Sequence, residues 1–310
     1  MSNAPVFMKG NYGDLFGSSM LPALEELYRQ TFAQHPSRRE MLFRKKKTDQ
    51  DIWQASEIHD MPLFSEVAEG EDYSYSRPRA GANKTFVPLK YGLGFSISEE
   101  AVEDGKFDMI ADAVRKMAKS ARESQEIAAM NIFNNGFSSE TAMDGVAVFS
   151  ASHTLPSGLT FRNKLSTDAD LSVSSLDQAL QDFETQFVGD TGIIELIQPK
   201  VLLVHPSNKR YALELIGSDL KADTSDNNMN SLKQEGLRVV SSAHLTDSDA
   251  WFLTADKEET GLTIVSRKDV ETKYAGADAG FDNDSIKVKS RYREKIGVTH
   301  AKGIFGTSGS

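Results

Sequence analysis

From Phe107 to Ile132 the chain keeps one helical rhythm, with Phe107, Ile110, Ala111, Val114, Met117, Ala118, Ala121, Ala128 and Ile132 at the spacing of a single apolar stripe. About seven turns follow, roughly 40 Å at 1.5 Å per residue, against about three turns for an ordinary globular helix. Gly136, after Asn134 and Asn135, stands where such a helix is expected to stop. A helix this long cannot be wrapped by one small core. The remaining elements have to be laid along it as along a spine.

Before the spine, residues 1–50 read as an appendage. Gly10, Gly13 and Gly17 make a loose opening, and an amphipathic stretch runs from Leu21 to Gln34, with Leu24, Leu27, Tyr28 and Thr31 on one side and Pro22 near its start. One helix cannot bury its own stripe, so it needs a partner from this chain or another. A basic cluster follows, Arg38, Arg39, Arg44, Lys45, Lys46 and Lys47, broken by Glu40, Met41, Leu42 and Phe43. It is either a solvated face or an arm that grips an acidic neighbour or packaged nucleic acid.

Residues 51–98 are aromatic and extended, with Trp53, the alternation Tyr73-Ser74-Tyr75-Ser76 and a run from Thr85 to Ile97. Between these lies Arg77-Pro78-Arg79-Ala80-Gly81, which suits a turn or a strand edge. The pattern predicts a long hairpin-like excursion, marginal in water without a neighbour to lie on. Ser96 and Glu99 are placed as a capping box for a short acidic turn carrying Glu99, Glu100, Glu103 and Asp104.

After the spine, Asp144-Gly145 predicts a turn, Val146 to Phe149 an apolar strand, and the chain then loops through Ser166. Leu176, Leu180, Phe183 and Phe187 predict a helix begun by Ser174 or Ser175. Pro199 to His205 predicts a buried strand, Ser207 to Ile216 a helix, and Trp251-Phe252-Leu253 and Leu262 to Val265 further strands. The Asp- and Asn-rich stretch 222–231, with Asp223, Asp226, Asn227 and Asn228, suits an exposed tip. Ile286 to Arg293 alternates as a half-exposed strand does.

With 310 residues, 39% of them apolar, the chain can bury a sizeable core. No apolar run approaches the roughly 20 residues a bilayer crossing needs, and Met1 to Lys9 lacks the form of an export signal, so cytoplasmic assembly and no membrane are expected. The absence of cysteine removes disulfides, thiolate metal sites and cysteine nucleophiles. A net charge of -10 argues against a general nucleic-acid binder.

Reactive constellations are lacking. His35, His59, His153, His205, His244 and His300 include no metal-binding pair one helical turn apart, and there is no Gly-x-Ser-x-Gly elbow. Gly92-Leu93-Gly94 and Gly81-Ala82-Asn83-Lys84-Thr85 each lack a glycine that a nucleotide loop requires. The acidic turn at 99–104 has no apolar pocket to raise a pKa. No catalytic, metal or cofactor residue is named, and the chain is not expected to be an enzyme.

The order of elements does carry a likeness. The amphipathic arm, the excursion ending in Ala82-Asn83-Lys84-Thr85-Phe86, the acidic Ser98-Glu99-Glu100-Ala101-Val102-Glu103-Asp104, the spine, and Asp144-Gly145 through Phe149 and His153 resemble major capsid proteins of tailed bacteriophages with the Hong Kong 97-type fold, the Mu-like head subunits above all. The likeness is strongest over 82–158. It implies an α+β shell subunit with an N-terminal arm (1–50), an extended β-hairpin loop overlapping a neighbour (51–98), a peripheral domain holding the spine helix (99–165), an axial domain (166–268) tipped by 222–231 around the five-fold or six-fold centre, and return strands to the peripheral domain (269–310). It implies pentamers and hexamers enclosing double-stranded DNA contacted non-specifically, a portal protein, and at some heads a decoration protein. Because the arm starts the chain, scaffolding is expected from a separate protein or from self-chaperoned assembly. Arg38, Arg39, Arg44, Arg77, Arg79, Lys84, Glu99, Glu100, Glu103 and Asp104 are the expected contacts between subunits. The isopeptide link of some relatives would join Lys84 or Lys90 to Asn283, but no buried carboxylate offers itself as its base, so no cross-link is expected. An encapsulin-like compartment shell and an α+β enzyme with an unrecognised site are the rival readings.

Overall fold

The stripe beginning at Phe107 forms one 28-residue helix in the computed structural model, which describes residues 20–58, 60–77, 80–98, 100–101, 104, 107–218, 231–275 and 285–309. In chain order the elements are α1 (Met20–Gln34), α2 (Arg39–Leu42), β1 (Arg44–Lys47), β2 (Trp53–Ile58), β3 (Ala80–Phe86), β4 (Leu89–Ser98) and the spine α3 (Phe107–Asn134). After it come β5 (His153–Thr154), β6 (Thr160–Phe161), α4 (Val173–Thr185), β7 (Val201–Val204), α5 (Lys209–Gly217), β8 (Arg238–Ser241), β9 (Trp251–Thr254), β10 (Leu262–Ala275), β11 (Ser285–Val298) and β12 (Ile304–Thr307).

Two four-stranded sheets organise the chain, one in the order β1-β10-β11-β4 and one in the order β12-β9-β7-β8. In the first, β10 and β11 form a 14-residue antiparallel ribbon that carries β4 on one side and β1, parallel, on the other. The spine lies against this sheet, its N-terminal half burying Ile110, Val114, Met117 and Ala118 with Ile97 and Val288. Its C-terminal half buries Met130 and Phe133 with Phe149, Leu203 and Phe252, which ties the two sheets together. The second sheet is sealed by α4 and α5 through Leu176, Phe183, Phe187, Leu202, Trp251 and Phe305.

Several expectations change in three dimensions. The arm helix finds its partner inside the chain: Leu24 and Tyr28 are buried against the spine and ribbon, and the Tyr28 hydroxyl shares a 2.7 Å hydrogen bond with Ser290. Thr85 to Ile97 is two strands, because Pro88 has no N-H to continue a ladder; β3 pairs with β2, and β4 leaves the excursion to pair with β11. Val146 to Phe149 is not a strand. The amide of Phe149 donates to Gly136 and that of Val148 to Glu140, so these groups are satisfied locally while both side chains are buried. The cap of α4 is Ser172, two or three residues before the expected Ser174 or Ser175, with Ser175 completing a reciprocal box.

The chain ends differently from a simple return. The expected boundary at 268–269 falls inside β10, and β12 pairs with β9 in the second sheet. Gly136 follows the spine, but its role is contact: a Cβ there would lie 2.7 Å from two ring atoms of Phe149. The expected tip at 222–231 lies outside the described residues except Ser231.

Candidate assembly surfaces

The first part of the arm's basic cluster is turned inward, while Lys45, Lys46 and Lys47 are exposed. Arg39 is 3% exposed and Glu294, on the packed face of β11, is 4% exposed; they form a bidentate pair at 2.8 and 3.0 Å. Gln125 of the spine adds a contact to Glu294 at 3.4 Å. Glu126, also buried, accepts from Ser37 Oγ at 2.7 Å and from the Arg38 amide at 3.1 Å, so the spine holds the start of α2. Arg38 Nε donates to the Ser241 carbonyl, and Arg122 pairs with Glu40 while lying 4.2 Å over the Phe32 ring. Arg38 and Arg39, expected between subunits, are therefore occupied within one chain, where a buried guanidinium needs a carboxylate.

Lys45 and Lys47 project from β1 to the same carboxylate, Asp269 of β10. Partial burial pushes Asp269 upward, but the hydrogen bonds from Lys45 and Lys47 prevail and hold it at about 2. Arg44 is half-buried. Lys84 is likewise turned inward, donating to the Thr141 carbonyl; burial lowers its pKa, with the charges of Glu140 and Asp144 pulling the other way. Its ammonium therefore already has a partner within the subunit. Asn283 lies outside the described residues.

Of the other expected contacts, Arg77, Glu100 and Asp104 are exposed, and the Asp104 amide donates to the Glu100 carbonyl at 2.8 Å. Arg79, Glu99 and Glu103, together with Asp223, Asp226, Asn227 and Asn228, lie outside the described residues.

Surface that lacks a partner concentrates in the excursion. Between β2 and β3, Met61, Leu63, Phe64, Tyr73 and Tyr75 are all exposed, an apolar content that a monomer seldom leaves in water. The base is fixed, since Asp60 accepts from the Asp190 amide at 3.0 Å. The far end closes in a turn, Glu71 N-H to Ala68 C=O at 3.1 Å, which Gly70 makes with a φ of 88°.

Among the described residues the buried histidine is engaged structurally. His153, wholly buried, places Nδ1 2.7 Å from Asp144 and Nε2 3.2 Å from Asn163, while Asn163 Nδ2 donates to the carbonyls of Val148 and Ala301. Both ring nitrogens are engaged, so the histidine braces the post-spine turn against the hairpin β5–β6. Among the described residues there is no group of acidic and histidine side chains able to hold a metal ion, and no helix long and apolar enough to cross a membrane.

The residues that sequence reasoning missed are the buried polar ones, Arg122, Gln125, Glu126 and Glu294. Their signal was present, since each occupies a position that the helix or strand period assigns to the packed face.

A spine helix along a long-stranded ribbon, with a separate small sheet and a projecting loop, defines a shell-forming subunit with a Hong Kong 97-like α+β fold. The fold is shared with the capsid of cyanophage P-SCSP1u (TM-score 0.59, 11% identity, 89% of this chain and 88% of that one). It is shared too with the mature capsid of bacteriophage PhiM1 (TM-score 0.55, 13% identity, 89% and 88%) and a virus-like particle from Pyrococcus furiosus (TM-score 0.55, 14% identity, 92% and 97%). No curated protein matches the chain in sequence. Residues 82–306 match the family described as phage capsid protein, and the chain belongs to that family. It is a major capsid protein, a structural and non-enzymatic subunit of a phage head shell.

Proposed function

We propose that this capsid protein assembles as pentamers and hexamers into the icosahedral head of a tailed phage, enclosing double-stranded DNA that it contacts non-specifically. Assembly takes place in the host cytoplasm with a separate scaffolding protein, a portal protein joins the shell, and some heads of this kind add a decoration protein. The observation that carries this reading is the loop at 60–77, where Met61, Leu63, Phe64, Tyr73 and Tyr75 are all exposed within one projecting segment. A second copy of the chain is the natural cover for such a segment. In this reading residues 51–98 overlap a neighbour, and 166–268 form the axial domain whose tip at 222–231 surrounds the symmetry centre. Arg77, Glu100 and Asp104, all exposed, are the contacts proposed between subunits, and Arg79, Glu99 and Glu103 stand with them on sequence grounds.

The test is negative-stain electron microscopy of the purified protein, alone and co-expressed with a scaffolding candidate. Closed shells or five- and six-membered rings are expected. A protein that stays monomeric under both conditions overturns the reading.

A further inference from the structure

At the root of the projecting loop lies a cavity of about 180 Å³. Three stretches of chain wall it: β2 and β3 through Glu57 and Ala82, the post-spine turn and the β5–β6 hairpin through Met143, Leu155 and Phe161, and the segment after β11 through His300. Each wall is anchored separately. Ala55 and Phe86 of the two strands pack against Val265 of β10. The Met143 amide donates to the Thr299 carbonyl at 3.0 Å, and the Leu155 amide to the Leu159 carbonyl at 2.8 Å. Closing the space would break these anchors, yet protein interiors keep few voids larger than a water molecule.

The lining is mainly apolar, and its charged groups already have partners. Asp144 holds His153, Lys302 pairs with Glu195, and Glu57 is engaged as well. Among the described lining residues, one side-chain polar atom is buried without a partner, His300 Nδ1. Burial, with the charges of Lys302 and Arg44 nearby, keeps this ring neutral near pH 7. A neutral imidazole has one donor and one acceptor nitrogen, so Nδ1 calls for a single hydrogen bond of one sense or the other.

Water is a poor occupant, because it needs roughly two to four polar partners, whereas a dry apolar cavity of about 150 Å³ is known to take one benzene ring. The space here is slightly larger and adds one hydrogen-bonding atom. A hydroxyl fits that atom in either tautomer, since it can donate or accept. Phe161 and Met143 are side chains that favour an aromatic ring as neighbour.

We propose that this cavity is a binding site for a neutral single-ring phenol, its ring among Met143, Leu155 and Phe161 and its hydroxyl on His300 Nδ1. The site is built within one chain, so the inference goes beyond the shell reading and does not depend on it. A ring seated there touches the root of the loop and the body of the subunit together.

The experiment is sealed equilibrium dialysis of the full chain against phenol, toluene and cyclohexanol. Phenol is expected to saturate at about one molecule per chain with a dissociation constant on the order of 1 mM, as its few atoms allow. Cyclohexanol, of similar size but not flat, should bind about threefold more weakly. Ala82→Leu fills the space and should weaken phenol and toluene about tenfold or more; Ala82→Val should give a smaller loss, and it decides the matter if the leucine variant melts lower than the parent. His300→Phe keeps a ring and removes the nitrogen, so it should weaken phenol about tenfold while leaving toluene within about threefold. No saturation below about 10 mM phenol, or unchanged binding in both Ala82 variants, overturns the site. Equal losses of phenol and toluene in His300→Phe overturn the role of the nitrogen, and cyclohexanol bound as tightly as phenol overturns the aromatic class.

Discussion

At the scale of single residues, the arm is held by charges out of water. Removing Arg39 alone would leave Glu294 buried and uncompensated, so Arg39→Ala is expected to cost about 3–5 kcal/mol, whereas Arg39→Met with Glu294→Leu should recover most of that loss in urea unfolding. Equal loss in single and double variants would mean that packing, not charge pairing, sets the cost. The clue to this clamp lay in plain view: the apolar stripe of the spine is interrupted between Ala121 and Ala128, and the interruption is filled by Arg122, Gln125 and Glu126 on the buried face. Glu294 likewise breaks an apolar face, one residue in two along β11. Periodicity shows that such positions are buried but not which partner satisfies them, because the partner is more than 80 residues away in sequence. His300 offers a second test. Burial lowers its pKa to about 4, helped by the charges of Lys302 and Arg44. Its ordinary value is about 6.5, so as pH falls the unfolded chain takes up the proton first, and this contribution is full above about 6.5 and lost as pH falls toward 4. The urea midpoint should therefore drop between about pH 7.5 and 5.5, and His300→Gln should flatten that drop. A variant that loses as much as the parent would place the sensitivity elsewhere.

At the scale of elements, legibility followed length and period. The spine and α1 were readable to within a residue or two because a long amphipathic stripe has one period to satisfy. The excursion was readable as extended, but its second half was assigned to one strand, since a proline marks a break without saying where the next segment pairs. The stretch Val146 to Phe149 was misread for a related reason: four apolar residues in a row fit a strand or a packed turn equally well. Phe149 packs there against Phe133, Phe137 and Phe252, with centroids 6.3, 5.0 and 5.1 Å away. This packing fixes the role of Gly136. A methyl at this turn position would enter the Phe149 ring, so Gly136→Ala is expected to destabilise by about 1–3 kcal/mol. Adding Phe149→Leu should cost less than it does in the parent background, and strict additivity in a double-mutant cycle would show that the two residues do not meet.

At the scale of the whole molecule, the question is which surfaces serve the subunit and which serve the shell. The arm was expected to need a partner from this chain or another, and its apolar side is covered within the chain; the loop was expected to need a neighbour, and its side chains remain in water. Sequence could not separate these cases, because an unpaired stripe looks the same whether its partner is far along the chain or on another copy. Deletion can separate them. Replacing residues 61–77 by Asn-Gly removes exposed side chains and closes the excursion with a short turn suited to antiparallel strands. The unassembled subunit is then expected to melt within about 2 °C of the parent, since no buried apolar contact is lost. Assembly should fail in the same preparation, measured by sedimentation beside the parent. Deleting residues 1–34 should do the reverse at the level of the subunit, lowering the melting temperature because Leu24 and Tyr28 leave Val114, Met117 and Val288 open to water. If instead the loop deletion lowers the melting temperature and the arm deletion does not, the roles of the two segments are exchanged.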